Sequence, residues 1–311
     1  MFAVLKMHLV ELKQLLLQVF NYIKMNRVFL IIVLVGLLGL SACEEVAPSI
    51  DFTIPLADTS YVVTDIPNPQ DKVVFIEEFS GVTCVNCPEG NAFVEGLLDK
   101  YPGRVISSTL HAGSFAVPIS GSDEDFAIEE TEIIDNFLGV EGYPAASVDR
   151  QLFTGELIAM NSPYANWEAA TEAQLQKSTP VNIDLVVDCD KNDQYIKVST
   201  KLTYTKDSEA EHNLSLFLLE SKIIDPQLSA QVAGGYIANY EHNHVVRDML
   251  TSPLGISISN TSLVEGLTVI KEFELELADN WVVENCEIIA IVHKTGDSKE
   301  VVHGAKDKLE P

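Results

Sequence analysis

The chain has 311 residues, 47% of them hydrophobic, with 20 basic against 46 acidic residues and a formal net charge of −26. That balance repels nucleic acid and anionic lipid headgroups, which excludes DNA or RNA as a natural partner. Beyond the amino-terminal segments about 240 residues remain, enough for two modest domains.

Residues 1–24 carry Lys6, Lys13 and Lys24 among apolar residues and do not fit an export signal, which should begin near Met25. They read as translation from a wrongly chosen upstream start codon, or else as an amphipathic extension. Met25-Asn26-Arg27 is a short positive region before the apolar stretch Val28 to Leu38, and a small-residue box follows. That core is too short to span a bilayer, so 25–42 is expected to be a cleaved signal peptide rather than a membrane anchor with an incidental cysteine. The box Leu40-Ser41-Ala42-Cys43 resembles the bacterial lipoprotein lipobox, which implies diacylation of the Cys43 thiol and cleavage just before it. Removing residues 1–42 leaves 16 basic and 45 acidic residues, a net charge near −29. The acyl chains then supply membrane attachment that the protein surface does not. Glu44-Glu45 resemble the acidic tether signals that send some Bacteroidetes lipoproteins to the cell surface.

Residues 43–70 hold Pro48, Pro55, Pro67 and Pro69 without a lasting period and are expected to form a tether. A first domain, 71–179, alternates strand and helix signals. Strands are expected at 73–79, 104–110 and 145–148, helices from Pro88, over 129–138 and over 167–176, and a loop over 113–125. This pattern implies an α/β sheet with a parallel portion. From Val181 the pattern becomes alternating strands with acidic turns, at 181–188, 195–205, 213–221, 268–277, 286–293 and 299–303, with a short helical possibility near 246–250. The second domain, 180–311, is therefore expected to be an all-β sandwich of immunoglobulin-like kind.

The five cysteines carry most of the chemistry. Cys84 and Cys87 stand three apart in Thr83-Cys84-Val85-Asn86-Cys87-Pro88, behind a strand and at a helix start. Two such thiols can close a small ring and reopen it, and the helix amino terminus stabilises the thiolate of the first. The same spacing makes half a zinc site, but no second pair lies at suitable spacing. In the redox reading Cys84 is the exposed attacking sulfur and Cys87 the buried resolving one. Cys189 and Cys286, at a strand end and a strand start, form a second possible disulfide that an exported setting favours if they approach closely enough. No cofactor is called for.

The order strand, Cys-x-x-Cys, helix, then Leu138-Gly139-Val140-Glu141-Gly142-Tyr143-Pro144 before a strand, resembles the thioredoxin fold. The resemblance implies a cis Tyr143-Pro144 bond, with Pro144 set against the dithiol and shaping a substrate groove; a trans proline at a strand edge is the plain alternative. It also points to Glu78, six positions before Cys84, as a buried proton acceptor. His111, ending the second strand of that domain, could face the dithiol and shuttle protons, or could be a partly buried histidine capping a loop. His242 and His244 would share one face of an extended segment, as metal ligands sometimes do; a solvated loop or interdomain contact is the other reading.

Taken with the lipobox, the segments Glu78 to Pro88, Gly142-Tyr143-Pro144 and Tyr240 to Arg247 resemble the outer membrane protein 28-related family of Bacteroidetes lipoproteins. That resemblance implies an outer-membrane lipoprotein with a thioredoxin-like domain and a β-domain, facing the periplasm or the outer surface, and no settled reaction. Two functions follow. The first is thiol–disulfide exchange on exported proteins or peptides; the second is a non-catalytic binding or adhesion lipoprotein with a structural disulfide.

No Lys or Arg lies between Lys72 and Lys100, while Glu77, Glu78 and Glu89 flank the motif. Carboxylates beside the sulfurs raise the Cys84 pKa and disfavour the reduced form. A redox titration is expected to show a weak oxidant, and a potential as high as that of the strongly oxidising periplasmic catalysts contradicts this.

Overall fold

The computed structural model describes residues 55–152, 158–161, 163–189 and 195–310. The expected signal segment, the lipidation site Cys43 and the first part of the tether lie outside the described residues.

The first strand, β1 (Ala57–Val62), runs where tether was expected. It exists because it lies antiparallel along β13 (Leu267–Glu276), from Ala57 opposite Glu272 to Val62 opposite Leu267. Then come β2 (Val74–Ser80), α1 (Cys87–Lys100), β3 (Val105–His111), α2 (Glu129–Leu138), β4 (Ala145–Val148), β5 (Ala159–Met160) and α3 (Ala165–Leu175). The remaining chain supplies β6 (Val181–Cys189), β7 (Tyr195–Tyr204), β8 (His212–Glu220), β9 (Ile223–Leu228), β10 (Tyr236–His242), β11 (Val245–Met249), β12 (Ile256–Ser257), then β13, β14 (Cys286–Lys294) and β15 (Val301–Lys308). The described residues are mainly β, with three α-helices.

Local sequence explains where the helices sit. Pro88 and Glu89 occupy the first turn of α1 and Lys100 its last, each where it suits the free backbone groups and the helix dipole. Three glutamates, Glu129, Glu130 and Glu132, open α2, and Gly139 closes it in a left-handed conformation at φ 67°. Residues 246–250 are not helical: Val245–Met249 is β11, whose β-branched start pairs antiparallel with β8 and touches β3 through Val245 opposite Thr109.

A nine-stranded sheet runs β15-β14-β8-β11-β3-β2-β4-β5, with β12 beside β8. Strands β2 and β3 are parallel, from Val74 opposite Val105 to Ser80 opposite His111, and β4 is antiparallel on the other side of β2. The expected boundary near residue 180 falls within this continuous sheet, because β11 carries it from β3 into β8. A four-stranded antiparallel sheet, β1-β13-β7-β6, packs its inner face on β8, β14 and β15 around Val198, Leu202, Phe273, Leu216 and Ile288. The opposite face of β8 and β14 presents Phe217, Leu219, Ile289 and Ile291 to Phe75, Phe79, Ile106 and Leu110, with Ile134 of α2. Helices α1 and α3 cover the far side of β2 through Val94, Leu97 and Trp167.

Charge is also taken into the sheet. Adjacent residues of a strand face opposite ways, and Glu77 turns away from the dithiol to meet Arg150, whose Nη2 lies 2.6 Å from Oε1 with both side chains essentially inaccessible. Lys72 and Asp149 make a second buried pair at 2.8 Å. Asp149 and Arg150 both adopt left-handed backbone conformations, φ 48° and 52°, and the turn so formed tucks both charges inward. Removing one partner strands an unpaired buried charge. Arg150→Ala is expected to lower the urea-derived stability by about 3–5 kcal/mol, and a Glu77→Leu/Arg150→Met double variant to recover most of it. A loss under about 1 kcal/mol for the single variant contradicts the assignment.

Candidate functional site

Strand β2 delivers the chain to Gly81, where a Cβ would stand 2.4 Å from the Phe115 carbonyl. Only glycine lets the turn Gly113–Phe115 come this close, and Thr83 uses the approach: its backbone N–H and its hydroxyl both donate to the Phe115 oxygen at 3.0 Å. The loop so braced carries Cys84, which is joined to Cys87 at the start of α1 by a disulfide with a Cα separation of 5.4 Å. Zinc ligation at this pair is therefore not what the structure holds.

Cys84 was expected to be exposed; it is 2% accessible and Cys87 0%. The cover is the hairpin formed by β9 and β10. Leu228 N–H donates to Val82 O at 2.9 Å and Ala230 N–H to Val85 O at 2.8 Å. The Gln227 side-chain amide donates to Gly81 O at 3.2 Å and to Cys84 O at 3.0 Å.

Tyr143-Pro144 is cis. Pro144 rests on the first turn of α1 at Gly90, where a Cβ would fall 2.9 Å from Pro144 Cβ and 3.2 Å from Glu78 Oε1. Asn161 clamps the bond by donating to Gly142 O at 2.7 Å and Pro144 O at 3.0 Å. The Tyr143 hydroxyl donates to Asp135 Oδ1 at 2.6 Å, and its ring lies 5.3 Å from Phe115.

Glu78 is buried behind the same helical turn. With its nitrogen facing the acceptors, the Asn91 amide donates to Glu78 Oε1 at 2.7 Å and to Cys87 O at 2.6 Å. Burial, reinforced by Glu95 and opposed by His244, pushes the Glu78 carboxyl up to about 8. The three carboxylates expected beside the sulfurs differ in their surroundings. Glu77 is paired with Arg150, Glu78 is held as the neutral acid at pH 7, and Glu89 is exposed.

The histidines separate. His111 ends β3 with its ring 4.8 Å from Phe126 and 5.6 Å from His242, and neither ring nitrogen has a partner among the described residues. Burial holds it well below the ordinary imidazole value, so it stays neutral, and none of its described contacts reaches a sulfur. His242 is buried beside it, lowered to about 4 by desolvation. His244 does not share a face with His242: its φ of 54° breaks the extended run. It meets Glu287 at 3.2 Å and Glu95 at 3.4 Å. Burial pulls His244 down, but its bonds to Glu287 and Glu95 outweigh that and raise it to about 9. Among the described residues no three His, Cys, Asp or Glu side chains converge on a metal site. Cys189 and Cys286 lie buried in the same apolar cluster. Burial, followed by Glu220, pushes Cys286 up to about 12.

Sequence reasoning missed Gly90, Asn91, Asn161 and Gln227, and with them the covering hairpin. The glycine pair Gly234-Gly235, both at positive φ just before β10, was the available hairpin signal.

The family model described as outer membrane protein Omp28 matches residues 131–311. Among solved structures, HBP35 of Porphyromonas gingivalis is similar with TM-score 0.61 and 18% identity, over 78% of this chain and 77% of that one. A domain of the outer membrane lipoprotein Omp28 from Porphyromonas gingivalis is 21% identical over 42% of this chain and 97% of its own, with TM-score 0.28. A protein of Agrobacterium tumefaciens is 11% identical over 78% of this chain and 96% of its own, with TM-score 0.47. Comparison with curated proteins returns no match. Among the described residues no helix is long and apolar enough to cross a membrane.

The Glu78 shift has a direction in stability. The folded state keeps a proton that the unfolded chain releases above about 4.5, so this contribution is complete below 4.5 and is lost as pH rises through about 8. Glu78→Gln is expected to gain stability relative to the parent between pH 5 and 8, by up to about 1.4 kcal/mol for each pH unit. Parallel stability–pH curves for the two proteins contradict the buried acid.

Proposed function

Since the chain belongs to the outer membrane protein Omp28 family, we propose that it is an outer-membrane lipoprotein anchored through Cys43, whose thioredoxin-like portion exchanges thiols and disulfides with exported polypeptides. An immunoglobulin-like β layer completes it. The observation that carries this reading is the convergence of the Cys84–Cys87 disulfide, cis Pro144 and the buried Glu78 acid on one helical turn. A proton donor with a pKa near 8 is matched to sulfur chemistry at neutral pH.

From the disulfide form, a client thiolate attacks Cys84 Sγ. The Cys84–Cys87 bond breaks, Cys87 leaves as a thiolate, and the Glu78 carboxyl supplies its proton. A second client thiolate then attacks the client sulfur of the mixed disulfide and releases Cys84. The client dithiol loses two electrons to the cysteine pair; the reverse sequence reduces a client disulfide, with a dithiol protein restoring the reduced pair.

The burial of both sulfurs favours the second reading, a binding lipoprotein in which the bond is structural. Trapping separates the two. With Cys87→Ser, Cys84 lacks its resolving partner, and non-reducing electrophoresis of cells expressing the variant is expected to show disulfide-linked adducts that Cys84→Ser/Cys87→Ser lacks. Identical patterns for the single and double variants leave the bond structural.

A further inference from the structure

The segment covering the disulfide is held there by the kind of contact an extended polypeptide makes. Leu228 and Ala230, two residues apart, present their N–H groups to Val82 O and Val85 O at 2.9 and 2.8 Å. Residue 229, between them, bonds elsewhere, its N–H donating to Gly235 O at 3.0 Å. Alternate donors directed to one neighbour, with the intervening one directed away, are how one strand reads another. Gln227 adds its side-chain amide across Gly81 O and Cys84 O. Four carbonyls of the cysteine loop are thus satisfied by residues 227–230.

Apolar support for this element is small, with Ile223 packed beside Val82, Phe126 and Val245. Among the described residues strands β9 and β10 pair only with each other, and a lone two-stranded hairpin is marginal by itself. Pro226 removes one ladder donor from β9. The polarity is reversed: Asp225, Gln227 and His242 are buried, while Ile224 is 55% exposed. Asp225 Oδ1 accepts from Asp123 N–H at 2.8 Å and the Tyr236 hydroxyl reaches Ser120 O at 3.3 Å. Against these bonds, Asp225 Oδ2, His242 Nε2 and both nitrogens of His111 beneath the hairpin have no partner among the described residues, so closure carries unrecovered desolvation. Both feet, Lys222 and His244, stand in the left-handed region at φ 60° and 54°, where a non-glycine backbone is strained and a rotation relieves it.

We propose that residues 227–230 are an internal stand-in for substrate. The site beside the disulfide binds an extended polypeptide segment through alternate backbone N–H groups to Val82 O and Val85 O, and a client reaches Cys84 by displacing the hairpin from that place. The inference rests on the exchange reading for what the client does afterwards, though not for what it displaces.

The test uses the lipid-free mature chain and the double variant Gln227→Ala/Ala230→Pro, which deletes the amide bonds and one of the two N–H donors. Reduction of Cys84–Cys87 by dithiothreitol, followed by alkylation and mass spectrometry, is expected to be at least about tenfold faster in the variant, as loss of about 1.4 kcal/mol of closure implies. A synthetic peptide of residues 225–231, Asp-Pro-Gln-Leu-Ser-Ala-Gln, is expected to slow the variant back toward the parent rate. Equal reduction rates in parent and variant, or no effect of the peptide, overturn the proposal. Should the variant not fold, amide hydrogen exchange on the unaltered chain decides: Leu228 and Ala230 exchange at least about a hundredfold faster than Leu216 and Ile289, and core-like protection at 228 and 230 overturns it. A variant that opens as expected while Cys87→Ser captures no client leaves this inference standing and removes the exchange reading.

Discussion

Two backbone hydrogen bonds, from Leu228 and Ala230 to the carbonyls of Val82 and Val85, bring a hairpin from one half of the chain down on a disulfide carried by the other. The hairpin so placed lies on a loop whose two sulfurs are almost inaccessible, although Val85 between them is still 42% exposed. The contact is one between backbones, made over an interior that buries Asp225, Gln227 and His242. Ile223 packs beside Val82, Phe126 and Val245, and the contact has less of the apolar burial that fixes the rest of the molecule. Elements joined in this way open locally before the core does.

Beneath the hairpin the opposite holds. Gly81 and Gly90 are places where backbone or proline comes so near that a single methyl group would not fit. Glu77 with Arg150 and Lys72 with Asp149 lock the turn after β4 into the end of the sheet. The disulfide, Pro144 and Glu78 are therefore fixed relative to one another by packing on both faces of β2, and only what lies above them has freedom to leave. A rigid floor with a weakly held cover is the arrangement a gated exchange site requires.

Much of this could be read from residues in chain order. The cysteine spacing, the helix start at Pro88, the helix over 129–138 and the strands after Val181 are local patterns, and each lies where its pattern indicated. What escaped was non-local or inverted. Nothing in Val245 to Met249 says that it joins β3 to β8, and a five-residue run has too few positions to separate a helical period from a strand's. The alternation that sends Glu77 to Arg150 and Glu78 to the helix was implicit in a strand, but the partner lay 73 residues away. The hairpin buries Asp225, Gln227 and His242 and exposes Ile224, the reverse of the rule by which strands are recognised.

A structure of the Cys87→Ser protein joined through Cys84 to a short cysteine-containing peptide bears most directly on this account. It predicts the peptide backbone lying where residues 227–230 now lie, its N–H groups on the carbonyls of Val82 and Val85, with the hairpin swung away about Lys222 and His244. A mixed disulfide formed with Leu228 and Ala230 still bonded to that loop would contradict it.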